Sequence, residues 1–303
     1  MIFNRVSVQK IIIKNVILVA YTFFLIRFQL FNYYSIETNL SYIQFYQLLI
    51  SVLFITTGGY LINDINNNKI DKINKPKEQT VSNLVSLEKA KRWYLYINSI
   101  GLILGIQLCL TISKPSLSIL FIGASLLLYY YSKKFKGIPF LGNFIISILL
   151  SLSLSLLVFF DINYSNNNIN NQTVTFIISI LIVFVFFLNL IREIIKDIEN
   201  INKDNQLNLN TLPLVFGRNR IKYLASYLCF PPIFMTLIFV WNYSEINLYF
   251  SLFLLIFIGI PLIYVSLKLR LINSQKKFHK LNTILKVIIF LAISSIYLFI
   301  KTQ

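Results

Sequence analysis

The sequence predicts an all-α protein whose helices cross a membrane about nine times. Of its 303 residues, 56% are hydrophobic and 13% are charged, a balance typical of membrane proteins and not of soluble domains. Apolar segments of about 20 residues, the length that spans a bilayer core of about 30 Å, recur along the chain. We therefore expect a polytopic transmembrane helical bundle that forms a single domain over residues 1–303.

Nine apolar segments approach this length, and each is bounded by charged or turn-forming residues. In chain order they are Ile11–Phe31, Tyr42–Ile62, Trp93–Ile112, Leu117–Tyr131, Phe140–Phe160, Thr173–Ile191, Ile221–Val240, Leu248–Leu267 and Ile284–Ile300. The first segment is too long for the core of a signal peptide, and no small-residue cleavage site follows it, so we expect it to remain in the mature protein.

The basic residues indicate how these spans are oriented. The chain has 28 Lys and Arg against 11 Asp and Glu. When nine spans alternate the loops between two sides, 25 of the 28 cations fall on one side, in segments 5–14, 69–92, 133–136, 192–222 and 268–286. The positive-inside rule then places the N-terminus in the cytoplasm. Because these residues occupy short membrane loops and no nucleic-acid-binding motif accompanies them, we expect no nucleic-acid partner.

Six of the eleven acidic residues lie in two short stretches at the predicted cytoplasmic ends of the second and sixth spans. The two stretches share one spacing, i, i+3 and i+7, which gives Asp64, Asn67 and Asp71 in the first and Asp197, Asn200 and Asp204 in the second. On a helix such positions share a face, and two such faces would offer the oxygen ligands that Mg²⁺ needs to bridge a diphosphate. The alternative is that both are polar helix ends capped by Asp and Asn.

Together, the two stretches resemble the aspartate-rich motifs of the UbiA family of intramembrane prenyltransferases. The first is similar to the family pattern Asn-Asp-x-x-Asp-x-x-x-Asp, and the second is similar to Lys-Asp-x-Glu-Asp-x-x-x-Asp followed by Thr-Leu-Pro at 211–213. Between them, segments 129–134 and 139–143 resemble the family's Tyr-x-x-x-Lys and Pro-x-x-Gly-Asn segments. Segment 192–199 resembles the branch labelled geranylgeranylglycerol-phosphate geranylgeranyltransferase-like.

The resemblance implies an enzyme that uses Mg²⁺ to transfer a polyprenyl group from polyprenyl diphosphate to a lipid-pathway acceptor, a glycerol phosphate or an aromatic quinone precursor. It implies four catalytic aspartates and two further metal-binding amides: Asp64, Asp71, Asp197, Asp204, Asn67 and Asn200. The residues implied to bind the diphosphate are Asn63, Lys75, Tyr129, Tyr130, Lys133, Lys134 and Arg192. For the lysines the alternative is a role in membrane topology alone. The implied location is the cell membrane, with the site facing the cytoplasm.

One departure from the family pattern occurs twice, because Asn67 and Asn200 stand where each motif has an aspartate. Each change removes a negative charge and leaves metal affinity and activity open, so a family member that has lost activity is one alternative. A second alternative is a carrier or flippase for an anionic lipid. Against it, the broken helices and paired half-repeats of many transporters are not evident in the sequence.

Two polar features near the predicted outer side have less definite roles. Arg27 lies inside the first apolar run, where a buried functional role competes with snorkelling to the outer interface. The Asn-rich segment 161–172 is expected to be a solvated connector.

The charge distribution makes a prediction about topology. A reporter fused at Met1 should face the cytoplasm and one fused at Gln303 should face the other side, because an odd number of spans separates them. Activity of fused phosphatase and fluorescent reporters in intact cells measures this. Finding both termini on the same side would remove one predicted span.

Overall fold

The computed structural model describes residues 5–74, 86–163 and 168–302, and within them the side chains of 15–67, 86–163 and 168–302. This part of the chain is helical, with one isolated antiparallel bridge between Thr38 and Ile162. The helices are α1 (Arg5–Leu25), α2 (Phe31–Tyr33), α3 (Tyr42–Asn74), α4 (Leu87–Thr111), α5 (Ser118–Lys133), α6 (Leu141–Leu152), α7 (Ser155–Asp161), α8 (Ile169–Glu199), α9 (Ile201–Gln206), α10 (Leu212–Phe216), α11 (Arg218–Tyr227), α12 (Phe230–Tyr243), α13 (Leu248–Leu254), α14 (Ile260–Leu271) and α15 (Gln275–Thr302). Single π-helical turns join α1 to α2 and α13 to α14.

The predicted polytopic α-helical fold is confirmed. In the described residues, eight helical segments are long and apolar enough to cross a membrane, and the bent pair α6 and α7 makes a ninth when it is counted as one span. The side of the membrane on which the N-terminus lies stays a prediction.

Two of the predicted spans are interrupted, for identifiable local reasons. The axis bends by 41° between α6 and α7, where the hydroxyls of Ser151, Ser153 and Ser155 each donate to the carbonyl three residues earlier. Such bonds compete with the regular helical ladder and bend helices. The break between α11 and α12 precedes Pro231 and Pro232, which have no N–H to donate.

Contacts divide the chain into two compact units, a first unit of residues 1–23 and 40–136 and a second unit of residues 24–39 and 137–303. The prediction of a single domain stays a prediction. In the first unit, α3, α4 and α5 pack closely because small residues lie between them. A Cβ built on Gly105 of α4 would lie 2.7 Å from the ring of Phe121 and 2.8 Å from the hydroxyl of Ser51.

In the second unit, α8 is the central helix, and it contacts α6, α7, α11, α12 and α15. Ile191, Ile194 and Ile195 near its C-terminal end are fully buried. The motif that follows these residues is therefore attached to a helix whose position is fixed by packing on several sides.

A buried ion pair in the second unit decides between the alternatives for Arg27, and the helix bounds shorten the expected Asn-rich connector. Arg27 is 7% exposed and its Nε lies 3.1 Å from Oδ2 of Asp161, which is fully buried. Arg27 therefore does not snorkel, because a carboxylate within the protein compensates its charge. The expected solvated connector is shorter than predicted, since α7 ends at the buried Asp161 and α8 already begins at Ile169.

The close packing in the first unit predicts a stability difference between two glycines. Gly105→Ala should destabilise the protein by about 1–3 kcal/mol, because its methyl group would overlap Phe121 and Ser51. Gly123→Ala on α5 is the matched control, since, among the described residues, no atom beyond its chain neighbours and its own helix backbone lies within 4 Å of its Cβ position. Thermal unfolding in detergent measures both. Equal melting temperatures for the two variants would contradict the packing described here.

Candidate active site

The first motif lies on the C-terminal part of α3. The predicted span ended at Ile62, but the helix continues to Asn74, so Asn63, Asp64 and Asn67 follow the apolar segment without a break. This agrees with the helical geometry expected for the first stretch. Asp71 belongs to the same helix, but its side chain lies outside the described part of the structure, and so does the whole of Lys75.

Hydrogen bonds connect this end of α3 to α5 and to the segment after it. Nδ2 of Asn66 donates to the Ser132 hydroxyl at 2.8 Å, and that hydroxyl donates to the carbonyl of Ile62 at 3.0 Å. Nζ of Lys136 donates to Oδ1 of Asn67 at 2.8 Å. The amide that replaces the family's aspartate is thus bonded to a lysine ammonium.

Asn63 supplies an acceptor oxygen that the protein leaves available. Its Oδ1 is buried and has no hydrogen-bond partner among the described residues. A buried acceptor without a donor costs free energy, so such an oxygen is a fitting ligand for a cation or for a donor group of a substrate.

The aromatic and basic residues predicted between the motifs lie at the C-terminal end of α5. Nζ of Lys133 donates to the hydroxyl of Tyr129 and lies 4.3 Å from the centre of its ring. Tyr130 packs edge-on against Tyr129 and is 49% exposed, and Lys134 is exposed at the helix end. The structure therefore brings all four residues to the end of one helix in the first unit.

The second motif lies where α8 ends. Asp197 is in its last turn, and Oδ2 of Asp197 accepts a hydrogen bond of 2.8 Å from Nδ2 of Asn143 on α6. Asn143 is 8% exposed. A buried amide thus orients this carboxylate from a neighbouring helix.

The expectation of one continuous helix face is wrong for the second stretch. α8 ends at Glu199 and Asn200 is its C-terminal cap, so Asp197 lies on α8 and Asp204 on the short α9. The side chain of Asn200 donates to the carbonyl of Lys196 at 2.9 Å. Asparagine favours helix ends because its side chain competes in this way with the main-chain ladder.

Arg192 lies five residues before Asp197 on α8 and is held rigidly. It is 5% exposed, its Nη1 donates to Oδ1 of Asn189 at 2.8 Å, and its Nε donates to Oδ1 of Asn282 on α15 at 3.2 Å. Glu193 and Lys196 form an adjacent ion pair at 2.5 Å. The guanidinium plane is therefore positioned by amides from two helices.

Asp204 is 5% exposed, and its carbonyl accepts a hydrogen bond of 3.0 Å from the amide of Leu209. Thr211, in the segment that resembles the family's Thr-Leu-Pro, is 3% exposed, and its hydroxyl has no hydrogen-bond partner among the described residues. This hydroxyl is a second buried polar group whose partner would come from a ligand.

The donors of each unit fit Mg²⁺ bound together with a substrate. In the described residues, no three His, Cys, Asp or Glu side chains gather into a metal site formed by protein alone. Mg²⁺ is usually held by one or two carboxylates together with substrate phosphates and water, and not by a protein cage. Asp64 with the open Asn63 oxygen in the first unit, and Asp197 with Asp204 in the second, are oxygen donors of this kind.

Sequence reasoning missed the residues that hold the motif side chains in place. Lys136 contacts Asn67, Asn143 contacts Asp197, and Asn189 and Asn282 hold Arg192. Only Asn143 had a signal in the sequence, as part of the Pro-x-x-Gly-Asn segment. The other contacts depend on which helices are neighbours.

The second unit also contains an apolar cavity of about 120 Å³. Residues of α8, α12, α13 and α15 line it, among them Phe184, Phe239, Phe250 and Phe299. Its walls are suited to a hydrocarbon chain.

Residues 33–293 of the chain match a family model described as UbiA prenyltransferase family. Digeranylgeranylglyceryl phosphate synthase of Saccharolobus solfataricus is 35% identical over 192 residues, which are 62% of this chain and 63% of that protein. The protein of the same name from Methanosphaera stadtmanae is 29% identical over 248 residues, which are 80% of this chain and 84% of that protein.

Solved structures have the same fold. One, described as "Structural and mechanistic insights into the biosynthesis of Digeranylgeranylglyceryl phosphate synthase in membranes", aligns with a TM-score of 0.66 at 21% identity and covers 99% of this chain and 97% of that one. A UbiA homolog from Archaeoglobus fulgidus bound to DMAPP and Mg²⁺ aligns with a TM-score of 0.54 at 15% identity, over 94% of this chain and 99% of that one.

Proposed function

The chain belongs to the UbiA prenyltransferase family, and we propose that it is a membrane enzyme that transfers a polyprenyl group from polyprenyl diphosphate to a glyceryl phosphate acceptor. The observation that carries the proposal is the end of α8, where Asp197 is oriented by Asn143 and a rigid Arg192 lies close by in sequence. A carboxylate for a metal and a fixed guanidinium for a phosphate are the two groups that a metal-bound diphosphate requires.

The acceptor class is proposed from the names of the relatives. Curated relatives from several archaea are named digeranylgeranylglyceryl phosphate synthase, and this name describes a glyceryl phosphate that carries two geranylgeranyl groups. A glyceryl phosphate is therefore favoured over the aromatic quinone precursor, and a geranylgeranyl diphosphate is the corresponding donor.

We assign the metal ligands from the two motifs. Asp64, Asp71, Asp197 and Asp204 would hold Mg²⁺, with the amide oxygens of Asn67 and Asn200 as weaker ligands or as partners of its bound water. When bound, Mg²⁺ neutralises charge that accumulates on the departing diphosphate.

The basic residues have complementary roles. Arg192 would bind diphosphate oxygens with a geometry that Asn189 and Asn282 fix in advance, so that little conformational entropy is lost on binding. Lys75, Lys133 and Lys134 would add positive charge. Lys133 already contacts the hydroxyl and the ring face of Tyr129. Of the two tyrosines, Tyr130 has the more accessible ring, and it would be the one to contact a substrate.

The reaction replaces the bond between the prenyl C1 and the diphosphate with a bond between C1 and the acceptor. The bond between C1 of the prenyl group and the diphosphate oxygen breaks, and its electron pair leaves with the diphosphate. A bond from an acceptor oxygen to C1 forms, and that oxygen loses its proton to the released diphosphate or to water. The apolar cavity lined by α8, α12, α13 and α15 would bind part of a prenyl chain during this exchange.

Purified protein in detergent, incubated with labelled geranylgeranyl diphosphate, Mg²⁺ and geranylgeranylglyceryl phosphate, should form a product with two prenyl groups. Asp71→Ala and Asp204→Ala should each lower the rate at least about a hundredfold, because each removes a ligand of the Mg²⁺ that would neutralise the departing diphosphate. Chromatography of the labelled lipid measures the product.

Glu245→Ala is the matched control, because Glu245 is an exposed acid in the turn after α12 and belongs to neither motif. Absence of transfer to any acceptor by folded wild-type protein would reject the proposed function. Full turnover by both aspartate variants would reject the ligand assignment and favour the helix-cap alternative.

Asn67→Asp should lower the Mg²⁺ concentration needed for half-maximal activity. Each 1.4 kcal/mol gained by the metal is about tenfold in affinity. Lys136 contacts Asn67 and would neutralise part of the new charge, so the shift should be larger when Lys136→Met is also present. Asn200→Asp should gain less, because it loses the donor that caps α8. Titration of activity with Mg²⁺ measures these shifts, and an unchanged midpoint would place Asn67 away from the metal.

A further inference from the structure

A group of three cations lies between α11 and the end of α14 in the second unit and includes none of the residues assigned to prenyl transfer. Nζ of Lys222 donates to Oδ1 of Asn273 at 2.8 Å, and Nη2 of Arg218 donates to the carbonyl of the same residue. Nε of Arg270 donates to the hydroxyl of Ser226 at 2.8 Å. Arg218, Lys222 and Ser226 are four residues apart on α11, so they form one row on the face that meets the end of α14. We call Arg218, Lys222 and Arg270 the cation cluster.

The burial of the cluster distinguishes it from basic residues that only set topology. Arg220 on α11 and Lys268 on α14 are exposed, as expected of cations at the end of a membrane span. Lys222 is 3% exposed, and Nε of Arg218 is buried without a hydrogen-bond partner among the described residues. Topology requires charge on one side of the membrane, but it does not require that charge to be buried.

No carboxylate compensates these charges within the described residues. Ion pairs in the described residues, such as Arg27 with Asp161 and Lys196 with Glu193, do not involve the cation cluster. The oxygens that the cluster contacts are neutral, from Asn273 and Ser226. Burying a charge without an opposite charge is costly, so the arrangement is complete only when an anion is bound.

We propose that the cation cluster binds a phosphate group, carried by the headgroup of an anionic membrane lipid. Two guanidinium groups and one ammonium can donate hydrogen bonds to phosphate oxygens. Arg270 also lies 5.1 Å from the ring of Tyr227 and 5.9 Å from that of Tyr223, and these rings are 56% and 48% exposed. Exposed tyrosines beside basic residues are typical of the headgroup level of a membrane, which favours a lipid over a soluble phosphate.

Full-length protein in neutral detergent is titrated with phosphatidylglycerol, with phosphatidylcholine or with inorganic phosphate. Native mass spectrometry measures the lipid bound, and the melting temperature measures stabilisation by each ligand. Wild-type protein should bind phosphatidylglycerol and be stabilised by it, and Lys222→Met should weaken this binding at least about tenfold. Arg220→Met is the matched control and should bind as wild type, because it removes an exposed charge from the same helix.

The experiment also separates lipid binding from a purely structural role of Lys222. Without lipid, Lys222→Met should be at least as stable as wild type, because it removes a buried charge that has no opposite charge beside it. If Lys222 served only to bond Asn273, the variant would be less stable in every condition, and this result would overturn the proposal. If Lys222→Met does not fold, Arg270→Gln provides the same comparison of lipid binding.

The remaining outcomes are equally decisive. Equal binding of phosphatidylglycerol by wild type and both cluster variants would overturn the site. Stabilisation by inorganic phosphate that matches that by phosphatidylglycerol, with the same dependence on Lys222, would support a phosphate site and overturn its assignment to a lipid. No prenyl diphosphate is present in these measurements, so they are independent of the proposed transfer reaction.

Discussion

The hydrocarbon interior of a membrane cannot solvate polar groups, and most features of this structure follow from that constraint. Backbone groups are satisfied within helices, and polar side chains must find partners inside the protein. The Arg27–Asp161 pair and the bond between Asn98 and Ser125 are examples. Beyond the ends of the apolar segments, Asn, Ser and Thr side chains can bond to water and need not pair with each other. There they hold charged side chains in fixed positions, as Asn143 holds Asp197.

This division explains why both motifs lie at the ends of long helices. α3 and α8 each begin with a span that packs through apolar residues. Each helix then continues into a polar segment, and the position of that segment is fixed because it belongs to the same helix. The burial of Ile194, Ile195 and Ile198 leaves little freedom to the turn that carries Asp197. A site for a highly charged diphosphate needs such rigidity, because flexible ligands would lose entropy when they bind.

The sequence was sufficient to predict the helical fold, the number of spans to within one and the position of the first motif on a helix, because hydropathy and i, i+3, i+7 spacing are local properties. It did not predict the helix end at Asn200, which depends on a side chain bonding its own backbone. It also did not predict the pairing of Arg27 with Asp161, because 134 positions separate them and only the arrangement of helices brings them together. Lys136 and Asn282 were missed for the same reason.

The basic residues illustrate most clearly what structure adds to sequence. In the sequence, Arg220 and Lys222 are equivalent cations in one loop region, and the positive-inside rule accounts for both. In the structure, one is exposed and the other is 3% exposed between two helices. An exposed cation is stabilised by water and needs no other partner. A buried one without a carboxylate gains stability when an anion binds beside it. Burial, and not the number of charges, therefore separates the lysines and arginines that orient this protein in a membrane from those suited to bind an anion.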